Sequence, residues 1–124
     1  LFNNNYADGE VYPYTTAHNF KTVDEFNTFI LDVMDRSSIF TDVDLTYGDE
    51  IITLSTCYME YDSEEIRCVV FARKVREGES PEVDVSKAKV NWNRKLFQLE
   101  IDRGVGNEWT TRTWDTSKLL SYNG

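Results

Sequence analysis

Four residues in this chain have side chains that could do chemistry together: Cys57, Cys68, His18 and Arg67. A thiol is mostly protonated at neutral pH and becomes a good nucleophile where a cation or a base lies nearby. Arg67 follows Cys57 by ten positions and is the nearest basic residue after it. An arginine cannot act as a base at neutral pH, but it can hold a substrate carbonyl and stabilise an oxyanion. The run after Cys57 carries Glu60, Asp62, Glu64 and Glu65, which would oppose a thiolate if they came close. Attack by Cys57 therefore still needs a proton acceptor. His18 is the only histidine, and taken alone it reads either as that acceptor or as a surface residue in the polar run from Thr15 to Lys21.

The elements that must position these groups are two strands. Ile51 to Thr56 reads as a strand running into Cys57, and Tyr58 to Glu65 reads as a polar loop. Ile66 to Val75 is a β-branched and aromatic run, the strongest strand pattern in the chain. If the two strands pair as a hairpin, Cys57 and Arg67 lie near the same end of neighbouring strands. Alternation puts Ser55 and Cys57 on one face of the first strand. It puts Arg67, Val69 and Phe71 on one face of the second, with Cys68 and Val70 on the other. A Cys57–Cys68 disulfide and a Cys57–Arg67 site are thus competing arrangements, and Cys68 by itself reads as a small buried residue.

Before the hairpin lies the clearest helix. Thr22 and Glu25 form a T-x-x-E capping box. Phe26, Phe29, Ile30, Val33 and Met34 then make one continuous apolar stripe, the pattern of core packing. Asp24 and Glu25 suit the positive helix start, Arg36 suits the negative end, and Ser37-Ser38 stops the helix. Glu10 to Thr16 reads as a strand, with Pro13 marking an edge or irregularity. Val43 to Tyr47 reads as a short strand followed by a Gly48-Asp49 turn, and Glu77 to Pro81 as a loop. Leu96 to Ile101 alternates as a strand would, Gly104 to Asn107 marks a turn, and Trp109 and Trp114 sit in a Thr-rich segment with strand character.

With 124 residues the chain suffices for one domain. Hydrophobic content of 40% and aromatic content of 14% suit a globular chain. Thirteen basic against 22 acidic residues give a net charge of −9, which argues against a nucleic-acid partner and against docking on anionic lipid. No stretch approaches the roughly eighteen apolar residues of a membrane span. One histidine and two separated cysteines fit no zinc pattern, and Asp62-Ser63-Glu64-Glu65 lacks calcium-loop spacing, so no metal and no cofactor is expected. The start at Leu1-Phe2-Asn3, with no initiator Met or signal peptide, is expected of a processed chain or an excised piece.

Thr53-Leu54-Ser55-Thr56-Cys57, with Arg67 ten positions on and Val69-Val70 following, resembles the active-site signature of sortases, class B in particular. Tyr14, Phe20, the helix from Val23 to Arg36 and the stretch Ser37 to Asp44 resemble the connection that precedes the cysteine strand in that class. Glu77 to Ser80 and Val83 to Ala88 resemble the segment after the arginine strand. The likeness spans Tyr14 to Ala88. It implies a mainly β fold: the C-terminal half of a sortase-type β-barrel, with one amphipathic helix before the active-site Cys strand. Residues 1–90 would form that half of the catalytic domain and 91–124 an extension of it.

The resemblance also implies a chemistry. Sortases are cysteine transpeptidases anchored on the outer face of the Gram-positive membrane. Their cysteine attacks a backbone carbonyl in a sorting motif near the C-terminus of a surface protein or pilin, and a cell-wall or pilin amine resolves the thioacyl intermediate. Cys57 matches the nucleophile and Arg67 the group that holds the substrate. Ser55, Tyr14 and Thr56 match positions lining the substrate groove, although Ser55 also reads as a plain strand residue and Tyr14 as a core aromatic. The family's histidine segment and anchor have no counterpart here. The chain alone is therefore expected to be inactive and to be weakly stable, self-associated or completed by a missing N-terminal half. Two other readings remain: a non-catalytic surface module that binds peptide, and an unrelated cysteine hydrolase that uses His18.

Overall fold

A computed structural model describes residues 2–3, 12–16, 19–58, 66–96 and 98–104. The helix forms where its pattern puts it, as α1 (Val23–Arg36). The Thr22 hydroxyl accepts from the Glu25 N–H at 3.1 Å, and the Glu25 carboxylate accepts from the Lys21 N–H at 2.8 Å, so both halves of the cap reach orphan donors. The apolar stripe buries Phe26, Phe29, Ile30 and Val33 as the centre of the core. Phe29 meets Phe71 edge to face, with ring centroids 5.6 Å apart, and Phe20 meets Phe26 likewise at 5.5 Å.

The stripe packs on an antiparallel sheet of β1 (Phe2–Asn3), β3 (Ile51–Cys57) and β4 (Ile66–Arg73), in the order β1-β4-β3. Ile51, Val69 and Phe71 face the helix, while Ile52, Leu54 and Val70 on the other face are each more than half exposed. A two-stranded ribbon joins β2 (Ile39–Phe40) to β5 (Lys89–Val90), and α2 (Gln98–Asp102) follows. The segment after β5 closes the carboxyl end of α1. Lys95 N–H donates to the Asp35 carbonyl at 2.7 Å, and the Asn91 amide side chain donates to the Ser37 carbonyl at 2.9 Å. These bonds use carbonyls that a helix end leaves without partners of its own.

The described residues thus make a small mixed fold of antiparallel strands and two α-helices. Among the described residues the strands make an open sheet and a ribbon, and the expected closed barrel is not found.

Three local expectations are corrected. The described part of the segment expected as a strand from Glu10 to Thr16 is a turn. Tyr14 N–H bonds back to the Tyr12 carbonyl at 2.9 Å and Thr16 N–H to the Pro13 carbonyl at 3.1 Å. Pro13 has no N–H to give to a ladder, so it sits at the bend. Val43 to Tyr47 is irregular, because Asp44 and Asp49 are committed to Arg76. The Asp49 carboxylate instead accepts from the Thr46 N–H at 2.8 Å, and Gly48 takes the left-handed conformation, φ 100°, that closes this turn. Leu96 to Ile101 contains α2 rather than a strand. Leu99 packs on Ile66, and the adjacent Glu100, fully buried, pairs with Arg94 through both carboxylate oxygens. Three alternating apolar residues were too short a pattern to separate strand from helix.

The end of the hairpin farthest from Cys57 is held by ion pairs. Arg73 grips Glu79 through two 2.7 Å hydrogen bonds, and Arg76 grips Asp49 through two more of 2.7 Å and Asp44 at 3.0 Å. These bonds tie the connection between β2 and β3 to the segment that leaves β4.

Candidate active site

Register decides the site. Along β3 and β4 the Cα partners run from Ile51 opposite Arg73 to Cys57 opposite Arg67. Beyond the two ends, Tyr58 N–H donates to the Ile66 carbonyl and Lys74 N–H to the Glu50 carbonyl. Hydrogen-bonded and non-hydrogen-bonded pairs alternate in an antiparallel ladder, so Cys57 and Arg67 form a non-hydrogen-bonded pair. In such a pair the side chains share a face and the Cα atoms approach to about 4.5 Å. The thiol and the guanidinium therefore rise side by side from the sheet.

Cys57 is exposed and Arg67 half-buried. Arg67 Nη1 donates to the Ile66 carbonyl at 3.2 Å, which holds the guanidinium close to the backbone of its own strand. Just before it, Ile66 is fully buried, with Tyr12, Tyr58 and Leu99 packed around it. The arginine thus follows a packed residue whose side chain turns to the opposite face, while the cysteine opens to solvent.

Two residues along the same face, Ser55 stands opposite Val69. The Tyr14 and Ser55 hydroxyls lie 3.0 Å apart, joined by a hydrogen bond in which either can donate. The two groove candidates on separate parts of the chain thus meet beside Cys57. Thr56 does not join them: alternation turns its side chain to the opposite face, across from Cys68. The same alternation decides between the two arrangements of the cysteines. Both are free, and Cys68 lies on the face away from Cys57.

One positioning residue escaped the sequence reading. Tyr12 donates its hydroxyl to the Phe29 carbonyl at 3.3 Å, and the Arg36 guanidinium lies over its ring, 4.4 Å from the centroid. These contacts anchor the turn that presents Tyr14. The signal was present as two tyrosines flanking Pro13, a bend with an aromatic on each side.

His18 lies outside the described residues, as do the acidic residues of the loop from 59 to 65 and Trp109 and Trp114. Among the described residues no His, Cys, Asp and Glu gather in threes as metal ligands would, and no helix is long and apolar enough to cross a membrane. The arrangement offers a solvent-facing thiol, a cation fixed across from it and a hydroxyl pair alongside. It is suited to attack on a carbonyl of an extended substrate lying over the sheet.

No family model, no curated protein and no solved structure matches this chain.

Proposed function

We propose that this chain carries the nucleophile-bearing part of a sortase-type cysteine transpeptidase. The observation that supports the reading is the direct cross-strand pairing of Cys57 with Arg67 beside the Tyr14–Ser55 hydroxyl pair. In this mechanism the Cys57 thiolate attacks a backbone carbonyl of a sorting-type peptide. The C–S bond forms, the peptide C–N bond breaks, and the departing amine leaves with a proton. Arg67 holds the carbonyl oxygen as its negative charge grows. A second amine, from a cell-wall precursor or a pilin, then attacks the thioester and restores the thiol. The acceptor for the Cys57 proton is not among the described residues, and the proposal concerns the nucleophile, its cation and the peptide groove. It carries with it the sortase-type fold and the extracellular, membrane-anchored setting of that family.

The test uses two electrophiles of equal intrinsic reactivity, a vinyl sulfone at the end of a short peptide with Thr adjoining it and the same vinyl sulfone without the peptide. Labelling is mapped by mass. The peptide form should label Cys57 faster than the bare form, Cys68 should lag in both, and Arg67→Ala should remove most of the peptide's advantage. Equal rates for the two electrophiles at Cys57 would sink the reading.

A further inference from the structure

Strand β3 has a neighbour on one edge, β4, and among the described residues none on the other. Its even-numbered residues exchange backbone hydrogen bonds with β4, because Cys57–Arg67 at one end and Ile51–Arg73 at the other are non-hydrogen-bonded pairs. The N–H and C=O groups of Ile51, Thr53, Ser55 and Cys57 therefore point away from β4, and they find no partner among the described residues. Every residue from Ile52 to Cys57 is exposed. Folded proteins guard such an edge with charge, proline, a bulge or a cover. Ile51–Cys57 has no charged residue, no Pro and no Gly, and it pairs with β4 without a bulge. On the face away from α1 the strand shows Ile52 and Leu54, with Val70 of β4 beside Leu54, all three more than half exposed.

We infer that this edge pairs antiparallel with the same edge of a second copy of the chain, with Leu54 facing Leu54 across a twofold axis. The outward-pointing residues are placed symmetrically about Leu54. One register therefore matches them all, Ile51 with Cys57 of the second copy and Thr53 with Ser55 of the second copy. Leu54 then forms a non-hydrogen-bonded pair with its counterpart, the arrangement in which side chains come closest. Val70 lies beside each Leu54, so one apolar row crosses the joined sheet. An uncharged strand offers nothing for a charged foreign segment to recognise, whereas its own copy meets it residue for residue. Glu50, which precedes the strand, is held by Lys74 at 2.6 Å. The net charge of −9 on each copy opposes the encounter, but salt screens that repulsion beyond about 8 Å at physiological ionic strength. Seven residues a side are fewer than the about twenty of a standard interface, so the association is weak and reversible. The pairing does not depend on the proposed transpeptidation.

Sedimentation of the whole chain should show a dimer whose fraction rises with protein concentration and, as repulsion is screened, with salt. Leu54→Lys sets like charges face to face across the axis and removes the apolar contact. It should raise the dimer's dissociation constant roughly tenfold or more. Leu54 is exposed, so the urea midpoint measured at low protein concentration should stay near that of the unaltered chain. Cross-linking tests the register. With Cys57→Ser and Cys68→Ser in place, Leu54→Cys should oxidise to a disulfide-linked dimer, because about 4.5 Å between Cα atoms suits a disulfide. Thr53→Cys in the same background should not, because its counterpart lies two residues off register, beyond the roughly 7 Å that a disulfide can span. A monomer at every concentration and salt overturns the inference and leaves the edge to a foreign strand. A dimer that Leu54→Lys does not weaken overturns it as well, and so does Thr53→Cys cross-linking as fast as Leu54→Cys.

Discussion

The two ends of the β3–β4 hairpin are built from similar residues and held in opposite ways. At one end Arg67 stands across from the exposed thiol of Cys57. At the other, Arg73 and Arg76 are locked to Glu79, Asp49 and Asp44 by five hydrogen bonds between charged groups. The Arg73 side chain is only 7% exposed, and its buried Nε–H has no hydrogen-bond partner among the described residues. Arg73 and Arg76 thus spend their donors on carboxylates, whereas Arg67 Nη1 donates to the Ile66 carbonyl beside the Cys57 thiol. The clamp holds the strands in register at one end, with Cys57 and Arg67 paired across the strands at the other.

The sharpest way to break this comparison is to remove each arginine in turn. Arg73→Met leaves the Glu79 carboxylate without its main partner, although it also removes the orphaned Nε–H, which offsets part of the loss. The expected cost is about 1–2 kcal/mol, between the values for exposed and for fully buried pairs. Arg67→Met should cost clearly less in stability while removing the peptide-dependent labelling of Cys57. Urea unfolding of the two variants decides the matter: equal losses would mean that both ends are structural clamps.

Acid tests the clamp in a second way. Arg73, and then the Arg76 backbone N–H, holds the Glu79 carboxyl down to about 2 from an ordinary 4.5. Burial alone would raise Asp49, but hydrogen bonds from Arg76 and the Thr46 N–H outweigh it and hold Asp49 below its ordinary value. Both carboxylates are thus easier to ionise in the folded chain than in the unfolded one. Their stabilisation is full above the unfolded value and is lost as pH falls through the folded one. The urea midpoint should fall between pH 4.5 and about 2, and Arg73→Met should flatten that fall. A midpoint equally steep in the variant would place the acid-sensitive contacts elsewhere.

How far the sequence displayed all this depended on distance along the chain. Helix α1 was legible to its last residue because its cap and its stripe lie within one continuous segment. The opposition of Cys57 to Arg67 was legible because a hairpin leaves only a few registers for strands so close in sequence. The face of Thr56 was legible as well, since alternation had already placed Ser55 and Cys57 together, yet the likeness to a family motif drew Thr56 into the groove. The clamp was hidden: Arg76 meets Asp49 and Asp44 from 27 and 32 positions away, and a charge count cannot pair residues at such separation. Helix α2 was hidden because its five residues owe their form to Ile66 and Arg94, contacts that no local pattern encodes.

The smallest effect falls on the open end itself. Tyr14→Phe removes one hydroxyl from the pair with Ser55 and keeps the ring that packs on the core. The bond is exposed, so the stability cost should be about 0.5 kcal/mol, the low end for a hydrogen bond that water can replace. Its effect on recognition should be larger than its effect on folding. If the hydroxyl pair orients a substrate over Cys57, Tyr14→Phe should lower the peptide's advantage in labelling Cys57 and leave the bare electrophile's rate unchanged. Phe at position 14 retains the wall of the groove, so a drop in both rates would point to a displaced turn. No change in either would leave the Tyr14–Ser55 contact as a tie between the turn and β3, with substrate held by Arg67 alone.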